Sequence, residues 1–500
     1  MTGKVWLVGA GPSDVGLFTR KGEQVLKEAE VVVYDALVGQ GVMGMIPDGA
    51  KCINVGKRSS NHTMKQEEIN RVLVEEAKAG KRVVRLKGGD PFLFGRGGEE
   101  LELLIKENIP YEVVPGVTSA LSVPAYNGIP VTHRDYCSSL HIITGHKKQG
   151  EEYDIDFEAL VRTKGTLVFL MGVAALGDIC RGLLEADIDP EMPAAILQKG
   201  TTAAQRRIVA TVSTLEAEVN ARGIETPAII VVGRVCELAE EFEWYEKLPL
   251  GGKKILVTRP KELISSMSAK LRAQGAEVLE LPAIRIEKRE CEGKIRHALE
   301  NIENYDWLVF TSPSGVRIFF EDMRECHMDI RKTGSLKIAV LGAGTARELE
   351  SHGCYADLIP EKYYAEDLGE ALTDVCTGAE KILIFRAAIG SPELTSQLLN
   401  VPEVEITDLA AYDTVYETSG MVDLKAEFEE GITDYAVFTS ASTVKGFAKT
   451  AGDLDFSKVK AVCIGKKTKD AADKLGMETY MAQNPSMDSV VDKVCELCRR

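Results

Sequence analysis

Five hundred residues at roughly 150 per domain predict about three domains, and a chain with 45% hydrophobic and 27% charged residues has the composition of an ordinary globular protein. A formal net charge of −16 excludes a nucleic-acid partner held by basic surface, but not an anionic small molecule in a local Arg/Lys pocket. Met1-Thr2-Gly3 leads straight into a core strand without the basic and apolar regions of a signal peptide, so a cytoplasmic protein is expected.

The elements alternate from the start. "KVWLVGAG" reads as a buried strand ending in glycines, residues 16–30 as a helix and "VVVYD" as a second strand. "KCINVG", "KRVVRLKGG" and "YEVVPG" add strands, with helical stretches such as "KQEEINRVLVEEAKAG" between them. Apolar strands separated by helices imply a parallel sheet covered on both faces. Residues 113–132 carry no charge over 20 positions, but Pro115, Gly116, Pro124, Gly128 and Pro130 break the run. A loop-rich buried segment is expected there, not a membrane span. The pattern resumes with "LHIITG", "GTLVFLMG", "MPAAILQKG" and "TPAIIVVGRV", which reads as a second α/β lobe.

Residues 240–254, "EEFEWYEKLPLGGKK", mark a linker before the fresh strand "KILVTRP". The second half then repeats itself. "KKILVTRP" at 253 resembles "EKILIFRA" at 380, "VFTSPSGVRIFF" at 309 resembles "VFTSASTVKGFA" at 437, and "KIAVLGAGTARELESHG" at 337 resembles "KAVCIGKKTKDAADKLG" at 460. Three matches in one order predict a duplication and two α/β lobes with a cleft between them. The 11 cysteines are scattered, and the single CxxC, Cys495 to Cys498, has no second pair. Reduced thiols and no metal site are expected.

Two chemical signals compete in the first half. Gly9 and Gly11 start a G-x-G-x-x-G pattern, and Asp35 follows at the distance of a ribose-binding acid, but Asp14 replaces the third glycine and Pro12 interrupts the turn. "RLKGGDPFLFGRGGEE", residues 85–100, sets a carboxylate inside a glycine knot at a strand end. A polyphosphate site would place a Lys before Ser/Thr there; an acid suits hydroxyls or a cation, with backbone amides for an anionic end.

These segments, with "VGKRSSNHTMKQEEIN", "VPGVTSALSVPAYNGIPVTHRDYCSS" and "TLVFLMGV" in order, resemble the tetrapyrrole methylases, specifically uroporphyrinogen-III C-methyltransferases, over residues 4–235. Ser13 departs from that family, which usually has a glycine there. The resemblance implies S-adenosylmethionine held by Pro12, Gly88, Gly89, Asp90, Leu93, Thr118, Ser119, Met171, Gly200 and Ala228, with S-adenosylhomocysteine as product. It implies Asp35 as proton acceptor and Lys57 as proton donor, while Arg58 and Arg134 would meet substrate carboxylates. Unaided, the residues have plainer readings: Met171 as core, Thr118 and Ser119 as helix caps, Asp35 as a cap, and Lys57 and Arg134 as surface charges.

In the second half, "LAAYDTVYET" at 409, "VFTSPSGV" and "IGKKTKDAA" resemble uroporphyrinogen-III synthase over residues 253–500, with Asp413 where that family often has Arg. That implies cyclisation of hydroxymethylbilane without a cofactor, Tyr412 assisting hydroxide departure, and Arg259, Thr311, Ser312, Thr439, Ser440 and Thr468 as carboxylate contacts. Each of these also reads as a turn or cap residue.

The expected fold is therefore α/β throughout: a two-lobed methylase at 1–240 (lobes 1–115 and 116–240), a linker at 241–252, and a bilobal synthase at 253–500. The synthase lobes would be 253–287 plus 411–500, and 288–410, each built on a parallel sheet. A homodimer through the methylase half is expected, with tetrapyrroles as small-molecule partners and neither nucleic acid nor membrane. The rival readings are a nicotinamide oxidoreductase built on the two "GAG" turns, a non-catalytic small-ligand clasp, and a methylase of a later corrinoid.

Overall fold

The structure, a computed structural model, describes residues 2–56, 64–145, 155–258, 261–416 and 422–499. Strands β1 (Lys4–Gly9), β2 (Val31–Tyr34), β3 (Lys51–Asn54), β4 (Arg82–Lys87) and β5 (Tyr111–Val114) form an all-parallel sheet of order β3-β2-β4-β1-β5. Its central strands are Val-rich and buried on both faces, as parallel sheets between helices require. The helix expected over 16–30 is shorter, Arg20–Lys27, because the Thr19 hydroxyl accepts the Gly22 N–H and fixes the start there.

Strands β6 (Leu140–Thr144), β7 (Thr166–Leu170), β8 (Pro193–Gln198), β9 (Arg206–Thr211) and β10 (Ala228–Val232) form a second sheet of order β6-β7-β10-β8-β9. Only β6 and β7 pair in parallel; the remaining pairs are antiparallel. The connection from β8 to β9 is residues 199–205, too short for a parallel crossover, which needs a dozen residues or more, so it turns as a hairpin. Charge-rich "RRIVAT" hid β9 from the apolar-run reading. The uncharged run at 113–132 becomes the end of β5, a loop and the helix Ser119–Tyr126. Among the described residues no helix is long and apolar enough to cross a membrane.

The second half carries β11 (Lys254–Thr258), β12 (Glu277–Leu281), β13 (Ile284–Lys288), β14 (Trp307–Phe310), β15 (Lys337–Val340), β16 (Lys381–Ala387), β17 (Glu405–Tyr416), β18 (Tyr435–Phe438), β19 (Lys460–Cys463) and β20 (Glu478–Met481). They form two sheets, β12-β11-β18-β19-β20 and β13-β17-β16-β14-β15. Matching repeated segments, the order β12-β11-β18-β19 mirrors β17-β16-β14-β15. Each sheet therefore takes strands from both copies of the repeat, and neither copy is a lobe by itself.

The first of these sheets is parallel throughout. The second is parallel except at its edge, where β13 runs antiparallel to β17. The reason is directional: β12–β13 carries the chain from one lobe to the other and β17 brings it back, so the two crossings lie side by side in opposite senses. Separate apolar clusters fill the lobes, one around Phe310, Phe319 and Phe385 and another around Phe428, Phe438 and Phe447.

Candidate functional site

At the carboxyl edge of the first sheet three strand ends meet on bare backbone. Gly11 N–H donates to Gly89 O at 3.2 Å, and Gly89 N–H donates back to Gly11 O at 2.8 Å. A Cβ on Gly9 would stand 2.5 Å from Gly116 Cα, and one on Gly116 would stand 2.2 Å from the Gly89 carbonyl oxygen. Only glycines permit this approach of β1, β4 and the segment after β5. Gly89 itself sits at φ +68, with open space where a side chain would begin.

Asp90 also has a role within the loop that the sequence did not show. Its Oδ1 accepts from the N–H groups of Phe92 (2.8 Å) and Leu93 (3.3 Å), and its Oδ2 accepts from Gly116 N–H at 3.0 Å. The carboxylate staples two loops together and so aims their backbones. Thr118 and Ser119 open the helix Ser119–Tyr126, where the Thr118 hydroxyl accepts the Ala120 N–H as a cap.

Asp35 follows β2 on the same edge. Its Oδ1 accepts from Gly88 N–H at 3.3 Å and Leu37 N–H at 3.1 Å, and its Oδ2 lies 3.8 Å from the guanidinium of buried Arg85. Arg85 and Lys87 both reach Glu100, at 3.1 and 2.7 Å, beneath the loop. Burial holds the Lys87 amine below its ordinary range, and the neighbouring Arg85 adds to that. This ion cluster escaped the sequence reading, although the basic residues Arg85 and Lys87 in the otherwise apolar strand "RVVRLK" were the signal, since a buried charge demands a partner.

The second sheet contributes the facing wall. Met171 follows β7 at φ +57 with half its surface exposed, so it is not core. Ala228 begins β10 and pairs with Gln198 at the end of β8, next to Gly200. A Cβ on Gly200 would meet Val123 Cγ1 at 2.3 Å, which ties that turn to the helix behind Thr118. Thr201 Oγ1 donates to the Pro12 carbonyl at 2.9 Å, and Leu93 packs against the second lobe's apolar cluster. Pro12, Gly88, Gly89, Asp90, Leu93, Thr118 and Ser119 thus lie at the carboxyl edge of the first sheet, and Met171, Gly200 and Ala228 at strand ends and turns of the second. The Asp14 carboxylate accepts the Tyr126 hydroxyl at 2.6 Å, a contact across the junction that the sequence did not announce. Arg134 is exposed on a loop. Lys57, Arg58 and Arg259 lie outside the described residues.

In the second half the Thr-Ser pairs end β14 and β18. Ser312 caps the helix Pro313–Glu325 and Ser440 caps Ala441–Ala451, so both hydroxyls serve backbone N–H groups, beside half-buried Thr311 and Thr439. The equivalent helices after β15 and β19 start on Gly342 and Gly465 without a side-chain cap. Tyr412 on β17 is 4% exposed, with its Oη 2.6 Å from Ser312 Oγ. Burial pushes that phenol up, so it stays protonated at neutral pH. Thr468 is also buried, inside its helix. Asp413 pairs with Arg289 through two hydrogen bonds of 2.7 and 2.8 Å, which supplies the charge partner its position lacked in sequence. Between the lobes, Lys467 Nζ sits 5.1 Å from the centroid of the Tyr364 ring. No group of three or more metal-ligating side chains occurs among the described residues.

The family model of tetrapyrrole (corrin/porphyrin) methylases matches residues 4–216, and that of uroporphyrinogen-III synthase HemD matches residues 265–492. A porphyrin biosynthesis protein HemD of Ruminiclostridium josui is 46% identical over 495 residues, 99% of this chain and 98% of its own. A uroporphyrinogen-III C-methyltransferase of Bacillus subtilis is 40% identical over 352 residues, 70% of this chain and 72% of its own. The crystal structure of a Thermus thermophilus uroporphyrin-III C-methyl transferase, complexed with S-adenyl homocysteine, is 40% identical over 47% of this chain and 99% of its own, with a TM-score of 0.41. With one relative matched end to end and each half matched by its own family, the chain belongs to the HemD porphyrin biosynthesis proteins in which a tetrapyrrole methylase precedes a uroporphyrinogen-III synthase.

Proposed function

We propose that this chain is a bifunctional enzyme of tetrapyrrole synthesis. Its second half, residues 253–500, closes hydroxymethylbilane to uroporphyrinogen III with inversion of the last ring. Its first half, residues 1–240, methylates that product at C2 and C7 to precorrin-2, the branch toward sirohaem and cobalamin. The observation that supports the methylase assignment is the junction at Gly89, where the paired Gly11 and Gly89 backbones leave open space at the strand end.

These residues fit S-adenosylmethionine. Gly89 leaves room for a ligand against the main chain, Asp90 holds the Leu93 and Gly116 amides in place, and small Gly200 and Ala228 border the other side. When bound, that group supplies an electrophilic methyl on cationic sulfur. The chain's task is to hold it in line with a pyrrole carbon, and positioning of this kind supplies much of such a rate. Asp35, oriented by the Gly88 and Leu37 amides, accepts the proton the ring releases after the new C–C bond forms. Lys57, Arg58 and Arg134 complete the reading as proton donor and carboxylate partners.

In the second half Tyr412 donates its proton to the departing hydroxyl, which leaves as water, and recovers one when the closing ring loses its own. The helix N-termini after β14, β15, β18 and β19 carry N–H groups and positive partial charge suited to substrate carboxylates. Thr311, Ser312, Thr439, Ser440, Thr468 and Arg259 are the side chains assigned to that role, Ser312 and Ser440 through the helix starts they cap. The exposed apolar residues Phe92, Phe94 and Leu121 support a homodimer through the methylase half. The cytoplasm is the proposed compartment, on the scattered, unframed cysteines.

Purified protein given hydroxymethylbilane and S-adenosylmethionine tests the assignment. A dimethylated dipyrrocorphin is expected; its absence when uroporphyrinogen III is also supplied removes the methylase reading. Spontaneous uroporphyrinogen I alone, from hydroxymethylbilane, removes the synthase reading.

A further inference from the structure

The two halves meet through buried polar groups. Lys254, the first residue of β11, is 6% exposed, and Glu427 is 4% exposed. The Lys254 ammonium donates to Glu427 Oε1 and to Gln40 Oε1, both at 2.8 Å, and Gln40 Nε2 donates back to Glu427 Oε1 at 3.2 Å. Gln40 belongs to the methylase half and its amide is engaged at both ends. Glu277, the first residue of β12, lies 3.7 Å from the same ammonium, and its Oε2 accepts the N–H of Ala203 at 2.8 Å. A cavity of about 430 Å3 separates the halves here, lined by Asp14, Leu37, Gln40, Lys254, Glu277 and Glu427 among others.

Lys254 and Glu277 are register partners on adjacent strands. One rung of the synthase sheet therefore grips both lobes of the methylase: the first through Gln40, the second through Ala203. Neither grip is remote from the site. Gln40 lies five positions after Asp35, and the intervening loop is wedged in place. A Cβ on Gly39 would stand 2.8 Å from Ser13 Cα, one on Gly41 2.3 Å from Val15 Cγ2, and one on Gly88 2.6 Å from Leu37 Cβ. A shift at Gln40 must displace the Pro12 and Gly88 turns. Ala203 lies two positions after Thr201, whose hydroxyl holds the Pro12 carbonyl.

A buried ion pair is a costly way to glue domains, because desolvation offsets much of its attraction. What it adds over apolar contact is a single allowed geometry. We propose that the Lys254–Glu277 rung, with Glu427 behind it, is a positioning device for methyl transfer: the synthase half sets the spacing of the two methylase lobes around the methyl donor. This rests on the methylase reading above.

The test uses the full chain with Gln40→Leu and Glu277→Ala, singly, and Glu277→Gln, which keeps an oxygen for Ala203. Calorimetry with S-adenosylhomocysteine gives the affinity; steady-state assays give KM and kcat for methyl transfer, and synthase turnover runs in parallel. Gln40→Leu and Glu277→Ala are expected to weaken S-adenosylhomocysteine binding and raise the donor KM by roughly five-fold or more, the lower range of measured coupling between sites. Turnover by the synthase and kcat for methyl transfer stay within about two-fold, and Glu277→Gln restores most of the affinity. Unchanged affinity in both variants overturns the proposal. So does a parallel loss of synthase turnover, which would mark general unfolding. If the unaltered protein binds S-adenosylhomocysteine but methylates no uroporphyrinogen III, the functional reading fails while the affinity comparison still judges the rung.

Discussion

Ser312 Oγ and Tyr412 Oη stand 2.6 Å apart, joining the cap of a helix to a strand that crosses between the synthase lobes. The sequence separates them by 100 positions. Tyr412→Phe removes the proposed donor but little packing. Synthase turnover should fall by roughly 10²-fold or more, the usual yield of a placed acid, while stability falls by about 1 kcal/mol for one hydrogen bond. Ser312→Ala should cost about 1 kcal/mol for the lost cap and lower turnover less than Tyr412→Phe does. Turnover measured beside thermal denaturation checks both; a Tyr412→Phe enzyme of full activity sinks the donor role.

Asp90 gives a sharper test of the methylase site. Asp90→Ala strands the Phe92, Leu93 and Gly116 N–H groups and should destabilise by about 1–3 kcal/mol, with loss of S-adenosylhomocysteine binding. Asp90→Asn turns an NH2 toward at least one of those donors and should rescue poorly. Isothermal titration reads the affinity, and synthase turnover in the same samples shows whether the second half still folds.

Gly116 faces the Gly89 carbonyl so closely that a methyl would stand 2.2 Å from that oxygen. Gly116→Ala must push apart the segments that follow β4 and β5, at a cost on the order of 1–3 kcal/mol for overpacking. Methyl transfer should disappear while ring closure by the second half persists. A Gly116→Ala protein that binds S-adenosylhomocysteine normally would refute the crowding argument.

Asp322 supplies a pH signature. It is fully buried, 2.8 Å from Lys288 Nζ, and burial raises its carboxyl above the usual value of 3.8 despite that partner. The folded form therefore holds the proton at pH values where the unfolded chain has released it. Its contribution is greatest below pH 3.8 and is lost as pH rises through the raised value. Asp322→Asn should lack this decline, so its melting temperature relative to the unaltered protein should rise from acid toward neutral pH. Parallel melting curves across pH 4 to 7 would contradict the assignment.

Much of this molecule was legible from residue order alone. Alternating apolar runs and glycine turns specify four α/β lobes, because a strand buried on both faces needs Val and Ile throughout, and a strand end that meets a ligand needs bare backbone. Ser312 and Ser440 show their capping role in the Thr-Ser turns themselves. The repeat was visible too, since similar segments bury similar faces. These are local demands, met within a dozen residues.

What local demands could not reach was decided by the tertiary structure. Charge-rich β9 becomes a strand only because a short turn folds it onto β8. The repeat copies exchange strands between lobes because β12–β13 and β17 cross in opposite directions. Asp90 looks in sequence like a ligand's acceptor, and only the fold shows that it also accepts the Phe92, Leu93 and Gly116 amides. Lys254 and Gln40, 214 positions apart, give no sign of each other in sequence; hydrogen bonds between them and with buried Glu427 make them a clasp. Periodicity records which face of an element is covered, not which distant group covers it, and partners far apart in the chain exist only once the chain has closed.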